Sequence, residues 1–331
     1  MTALTLGLVI ALFFVLAAEF VNGWTDAPNA IATVISTGVM TPRQAVLMAV
    51  IFNTIGAMSG TAVAATVGKG IVAPAALTVP AITATMVSII AWGSLAARLG
   101  IPVSKSHALL AGLAGAGFAG GGLEALQWAG WQKVGIGLVL SLVIGFGGAF
   151  LLGRLITATA ANAAPTRAKR SFDRLQMLSA AFMAFNHGLN DGQKFMGVFA
   201  MTLLAGGAIQ TFHIDTWVIV VCALTMGIGT SFGGWRIIQT VGSKMTRLKS
   251  WQGFGATTAA SFTIFGASHY GIPLSTTHTI TSAVVGVGAS KRASDVRWGV
   301  LKKIVLAWFA TFPACAALAF VAAMIANRLW A

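Results

Sequence analysis

Of the seven acidic residues in this 331-residue chain, three stand in or beside strongly apolar runs: Glu19, Asp26 and Asp191. Asp26 lies in FVNGWTDAPNA (20–30) and Asp191 in FNHGLNDGQKF (185–195). A carboxylate in apolar surroundings costs several kcal/mol unless it faces a partner or a polar cavity. Glu19, Asn22, Asp26, Asn29 and Thr33 follow steps of three and four, so a helix sets them on one stripe. Pro28 removes a backbone donor and predicts a break beside Asp26. Freed carbonyls next to a carboxylate and an amide suit a cation or a proton. His187, Asn190, Asp191 and Lys194 share a face by the same arithmetic, and Gly188 and Gly192 permit a break around the acid. The blander alternative is a polar cluster that ties helices together, with Asp191 and Lys194 as a neutralised pair.

A second constellation occurs twice. GIPVSKSHALLAGLAGAG (100–117) returns as GIPLSTTHTITSAVVGVG (271–288), matching Pro102 to Pro273, Ser104 to Ser275 and His107 to His278. A helix N-terminus presents unpaired N–H groups and attracts anions. Ser104, Ser106, Ser275, Thr276 and Thr277 add hydroxyl donors there, suited to a tetrahedral oxyanion, or they simply cap ordinary helices. His107 and His278, one turn further in, can donate to an anion, carry a proton or serve as hydrogen-bonded structural residues. Lys105 takes the place of Thr276, and Lys194 the place of Asn29. One cation per motif pair helps offset a dianion, although Lys105 can instead snorkel to an interface. His213 and His269 have no matched counterpart.

Paired polar motifs inside apolar half-chains are the pattern of a secondary transporter built from structural repeats. The chain is 57% hydrophobic and 8% charged, against about 25% charged in soluble domains. The expected fold is an all-α polytopic membrane bundle with spans near 3–24, 42–67, 78–98, 134–158, 176–206, 214–234, 252–270 and 299–327. Segments 102–120 and 273–290 read as Pro-led re-entrant half-helices. The first repeat is placed at 1–158, a basic Pro-containing linker at 159–175 and the second repeat at 176–331. An odd number of crossings in each half inverts one repeat relative to the other.

The formal charge of +14 does not indicate nucleic acid. Arg154, Arg167, Lys169, Arg170 and Arg174, then Lys244, Arg247 and Lys249, then Lys291 to Lys303 sit at span ends, as expected for loops facing the cytoplasm and anionic lipid. Aromatic residues are not interleaved with them for base stacking. Cys222 and Cys315 lie in apolar spans without CxxC spacing, and no dense Cys, His and carboxylate grouping predicts a metal or other cofactor. The N-terminal apolar run lacks a basic n-region and reads as a first span rather than a cleaved leader.

These motifs resemble the inorganic phosphate transporter (PiT) family: G-x-x-D-x-x-N-A at Gly23–Ala30, HGLNDGQK at 187–194 and two P-x-S-x-[ST]-H segments. The resemblance covers nearly the whole chain. It implies a symporter, with Asp26, Asn29, Asn190 and Asp191 serving ions or substrate, and Ser104, Ser106, Ser275, Thr276 and Thr277 serving phosphate. The family's sodium-coupled branch carries a Glu in the span after each Asp motif, where this chain aligns Asn53 and Thr257. HGLNDGQK and IFNTIG look more like the bacterial low-affinity branch. That likeness implies proton coupling, a bacterial plasma membrane and phosphate carried free or as a metal complex.

The substrate set then comprises Asn29, Ser104, Ser106, Asn190, Lys194, Ser275, Thr276 and Thr277, and the coupling-ion set Glu19, Asp26, Asp191, His107 and His278. Sodium coupling, sulfate as cargo and a homodimer stay open. An anion channel is a competing class, although carboxylates at the centre of an anion pore argue against it. A membrane enzyme acting on a phosphorylated lipid is another, but no activated nucleophile or metal set accompanies the histidines.

Overall fold

The computed structural model describes residues 5–160 and 164–330, all in helices, turns and connections with no strand among them. The first few residues of the expected first span and residues 161–163 of the expected linker lie outside the described residues. Each half repeats one order of elements.

The first half opens with α1 (Leu6–Asp26) and α2 (Pro28–Ser36). Ala27 between them keeps helical angles, and its N–H reaches the Gly23 carbonyl at 3.1 Å. The break expected at Pro28 is therefore an interruption within a 31-residue span, because proline fits the first position of a helix. α3 (Pro42–Ala57) starts from a Thr41–Gln44 capping box, and α4 (Ala62–Gly70) turns 68° away from it. α5 (Val79–Leu99) stops at Gly100, whose φ of 69° suits glycine. α6 (Lys105–Gly121) and α7 (Trp128–Thr159) complete the half.

The second half repeats this order with α8 (Pro165–His187), a π turn at Gly188–Gly192 and α9 (Gln193–Ala205). A bent pair follows: α10 (Thr216–Thr230), then α11 (Trp235–Gln239) with a π turn at Thr240–Lys244, 64° apart. α12 (Ser250–His269), α13 (Thr276–Ala289) and α14 (Trp298–Trp330) close the chain. At about 1.5 Å per residue, the 14 residues of α13 rise about 21 Å, short of a full hydrocarbon layer.

Three expectations need correction. The spans expected at 42–67 and 214–234 are bent pairs. The second bend forms where Gly233 and Gly234 adopt φ of 83° and 57°. The linker expected through 175 is already helical from Pro165, which presets the first turn, and Lys169 pairs with Asp173 at 2.6 Å one turn on. Gly188 and Gly192 do not unwind the helix around Asp191. They let α3 approach it, since a Cβ at Gly188 would overlap the Asn53 carbonyl and one at Gly192 would crowd Ala57.

Packing between the halves is reciprocal. α6 lies on α14 and α13 on α7, so each half-helix leans on the closing helix of the other half. Trp308 Nε1 donates to the Pro102 carbonyl at 3.0 Å, and Ser141 Oγ to the Ser275 carbonyl at 3.4 Å. Gly23 meets Met226 of α10 while Gly229 of α10 meets Phe20, the small-residue contact that lets helices approach within a membrane. Outward faces carry Phe13, Ile55, Val143, Leu155, Phe262, Phe309 and Val321, all exposed and suited to lipid.

The basic segments gather on one face. Arg297 N–H donates to the Met245 carbonyl at 2.9 Å, Gly253 abuts Gln176, and Gly153 abuts Ser290.

Gly188→Val should destabilise the bundle by roughly 1–3 kcal/mol, the usual range for overpacking. Gly147→Ala, with open space around it inside α7, should hold or slightly raise the thermal midpoint in detergent, since alanine is the better helix former. Equal melting of the two variants would remove the α3–α8 close approach as a determinant of the fold.

Candidate functional site

The site forms where the middle of the α1–α2 span, the π turn and the N-termini of α6 and α13 converge. Ser104 caps α6, its Oγ accepting the His107 N–H at 3.1 Å, and Ser275 caps α13 by the same bond from His278 at 3.1 Å. Ser275 Oγ also lies 2.6 Å from His278 Nδ1. The capping serines thus orient the half-helices, and the next hydroxyls project into the centre.

Those hydroxyls meet the acids in a pseudo-symmetric pattern. Thr276 Oγ1 donates to Asp191 Oδ2 at 2.6 Å, within its own half. Thr277 crosses to Asp26 Oδ2 at 3.3 Å, and Ser106 crosses to Asp191 Oδ1 at 3.4 Å. Asn29 Nδ2 donates to Thr277 Oγ1 at 3.0 Å and Thr276 Oγ1 at 3.3 Å, tying the first repeat to the second half-helix.

Two lysines neutralise the acids. Lys105 Nζ stands 2.8 Å from Asp26 Oδ1 and donates to the Val103 carbonyl at 3.3 Å. Lys194 Nζ pairs with Asp191 Oδ1 and donates to the Leu274 carbonyl at 2.7 Å and Ser106 Oγ at 2.5 Å. All four charged side chains are at most 3% exposed. A buried charge of this kind persists where a counter-charge and hydrogen bonds offset its lost hydration.

His187 belongs to the same cluster. Thr230 Oγ1 donates to the Met226 carbonyl at 2.9 Å and accepts Asn53 Nδ2 at 3.1 Å, which turns Asn53 Oδ1 toward His187 Nδ1 at 3.1 Å. Nδ1 is then the donor, and Nε2 faces Asp191 Oδ2 at 3.2 Å. One donor atom each from Asp26, His187 and Asp191 lie within 4.8 Å of one another. His187 and Asp191 lie one turn apart, while Asp26 joins them from the other repeat, which no local spacing predicts.

The other expected residues take distinct places. Glu19 is buried near this cluster, accepting Asn22 Nδ2 at 3.3 Å while its Oε1 has no hydrogen-bond partner. Asn190 turns to α12 and donates to Ser268 Oγ at 2.7 Å. His107 and His278 lie against each other, ring centres 4.5 Å apart and tilted by 51°, between Phe312 and Trp308. Lys105 and His187 were outside the expected site set. Their signals were Lys105 standing where the second copy has Thr276, and His187 one turn before Asp191. Thr257, placed by resemblance at the second of the family's Glu positions, lies in α12 rather than in the bent pair that follows α9, and pairs with Ser179 at 2.5 Å on the α8–α12 seam.

Fold and site together define a multi-span membrane protein of two inverted repeats, whose buried charges meet between two half-helix N-termini. The model of the phosphate transporter family matches residues 22–164 and 155–319, in keeping with the two repeats, and the chain belongs to that family. It is 43% identical over 316 residues to a probable low-affinity inorganic phosphate transporter of Rhizobium meliloti, covering 95% of this chain and 93% of the relative. A protein of the same description from Bacillus subtilis is 38% identical over 325 residues, covering 97% and 98%. The solved structure of a sodium-dependent phosphate transporter shares the fold with a TM-score of 0.89 and 24% identity, covering 98% of this chain and 100% of that one.

Ser275→Ala removes a cap, and the expected loss is about 0.5–2 kcal/mol of stability. Thermal unfolding in detergent measures it, with Ser275→Thr as the variant that should retain the cap. An unchanged midpoint for Ser275→Ala would mean that the cap does not hold α13 in place.

Proposed function

We propose that the protein imports inorganic phosphate together with protons, by alternating access around the cluster between α6 and α13. The observation that carries the reading is that the donors suited to an oxyanion are engaged by carboxylates. Thr276 and Ser106 lie on Asp191, and Thr277 on Asp26. A phosphate arriving among Ser106, Thr276, Thr277, Asn29 and Lys194 competes for the same donors, and the acids lose hydrogen bonds that favour their charged form. Loss of such bonds favours proton uptake by a carboxylate. Phosphate and proton binding thereby strengthen each other, and that coupling is reciprocal.

Ser104 and Ser275 act in this scheme through the caps that aim the first-turn N–H groups. Asp26, Asp191 and Glu19 are the proton carriers, and Asn190 holds the π turn against α12 through Ser268. The tilted contact of His107 with His278, beside the Phe312 and Trp308 rings, supports a packing role over a coupling one.

Inward movement of each negative charge costs about 2.3 kcal/mol per 100 mV of membrane potential, so accompanying protons must offset it. The basic face formed by the 165–174, 244–249 and 291–303 segments supports its placement inside the plasma membrane. The bacterial relatives named as phosphate transporters support the same membrane and the same cargo.

Purified protein in proteoliposomes should accumulate labelled phosphate under an inward-directed pH gradient, with sulfate failing to compete. Asp191→Asn and Asp26→Asn should each lower that uptake by at least about a hundredfold, roughly the loss of one essential proton-transfer group. Uptake driven by sodium with no pH gradient would overturn proton coupling. Wild-type rates in both variants would make the acids structural.

A further inference from the structure

We propose that Lys105 and Lys194 are resident cations: their ammonium groups fill two seats that an alkali cation would otherwise take beside Asp26 and Asp191, and they thereby exclude sodium from the site. The inference deepens the transport reading by assigning the residues that set its ion specificity.

The argument rests on where the two ammonium groups end up. Lys105 Nζ bridges Asp26 and the Val103 carbonyl, and Lys194 Nζ bridges Asp191 and the Leu274 carbonyl. Asp26 and Asp191 are equivalent in the two repeats, and Val103 and Leu274 hold the same place in the two Pro-Ser motifs. The lysines themselves are not equivalent. Lys105 comes from a half-helix where the other repeat has Thr276, and Lys194 comes from α9 where the other repeat has Asn29. Two unrelated positions therefore deliver a cation to two matching places.

Each seat is made of a carboxylate oxygen and a backbone carbonyl, and the second adds the Ser106 hydroxyl. All are hard oxygen donors, the kind that hold alkali and alkaline-earth ions. The charges decide the outcome. At each seat one carboxylate already faces one ammonium group, so an alkali ion added there would be a second buried positive charge against a single acid. Such a charge costs several kcal/mol. A lysine side chain also stays attached to its helix, so it can hold the charge of a cation without being carried across.

Equilibrium binding of radiolabelled sodium to the full-length protein in nanodiscs tests this directly, without phosphate. The wild-type protein should show no saturable sodium binding. Lys105→Met and Lys194→Met keep the apolar stem and empty one seat each, and each should bind sodium saturably, at concentrations at least about tenfold below the highest sodium concentration at which the wild type shows none, near 1.4 kcal/mol. Lys105→Arg should bind no sodium. Adding Asp26→Asn to Lys105→Met should abolish the new site, which separates a vacated seat from general loosening of the fold. Saturable sodium binding by the wild type would overturn the proposal, as would its absence from both methionine variants when they elute as monodisperse, cooperatively melting proteins. The measurement needs no transport, so its failure is distinguishable from failure of the phosphate reading.

Discussion

The structure depends on accommodating two carboxylates, Asp26 and Asp191, at the centre of an apolar bundle. Each is about 98–99% buried, and neither could remain there as an isolated anion. Lys105, Thr276, Thr277 and Ser106 reach them from the half-helices, far along the chain, while Lys194 pairs with Asp191 from one turn away. Satisfying the acids thus requires both half-helix N-termini to arrive at one point. The caps by Ser104 and Ser275, the close helix approaches at glycine and the exchange of closing helices between halves all serve that convergence.

The two repeats are alike in backbone and unlike in charge. Matching hydroxyls cross between halves, Ser106 to Asp191 and Thr277 to Asp26, so neither repeat completes its own site. The first positions of the half-helices differ: Lys105 makes an ion pair where Thr276 makes a neutral hydrogen bond. Asn29 and Lys194 exchange those roles in the other motif, the amide holding two hydroxyls and the ammonium holding an acid. Asp26 and Asp191 thus each face one ammonium group, although neither motif pair is symmetric.

Much of this was legible in the sequence, because duplicated motifs and apolar runs are local signals. The half-helices begin next to the serines expected to cap them, and Glu19, Asp26 and Asp191 are all buried. The bends between α3 and α4 and between α10 and α11 escaped a reading by hydropathy, since both arms of each are apolar. The helical start of α8 escaped because a Pro-containing basic stretch looks like a linker until Pro165 is seen at the first helical position. Partner choice was the least legible part. No spacing rule shows that Lys105 reaches Asp26, that Asn190 turns to Ser268, or that Asn53 orients His187. Those contacts are fixed by helix crossings between residues far apart in the chain.

In the proposed coupling, phosphate competes with Asp26 and Asp191 for the same hydroxyls, so that phosphate and proton binding favour each other. Calorimetric titration of the purified protein with phosphate, at one pH in buffers of different ionisation enthalpy, measures that linkage without a membrane gradient. The account predicts a binding enthalpy that varies with the buffer in the direction of proton uptake, and a variation lost in the Asp191→Asn protein. Phosphate binding with the same enthalpy in every buffer would show that no proton accompanies the anion, and would contradict the account.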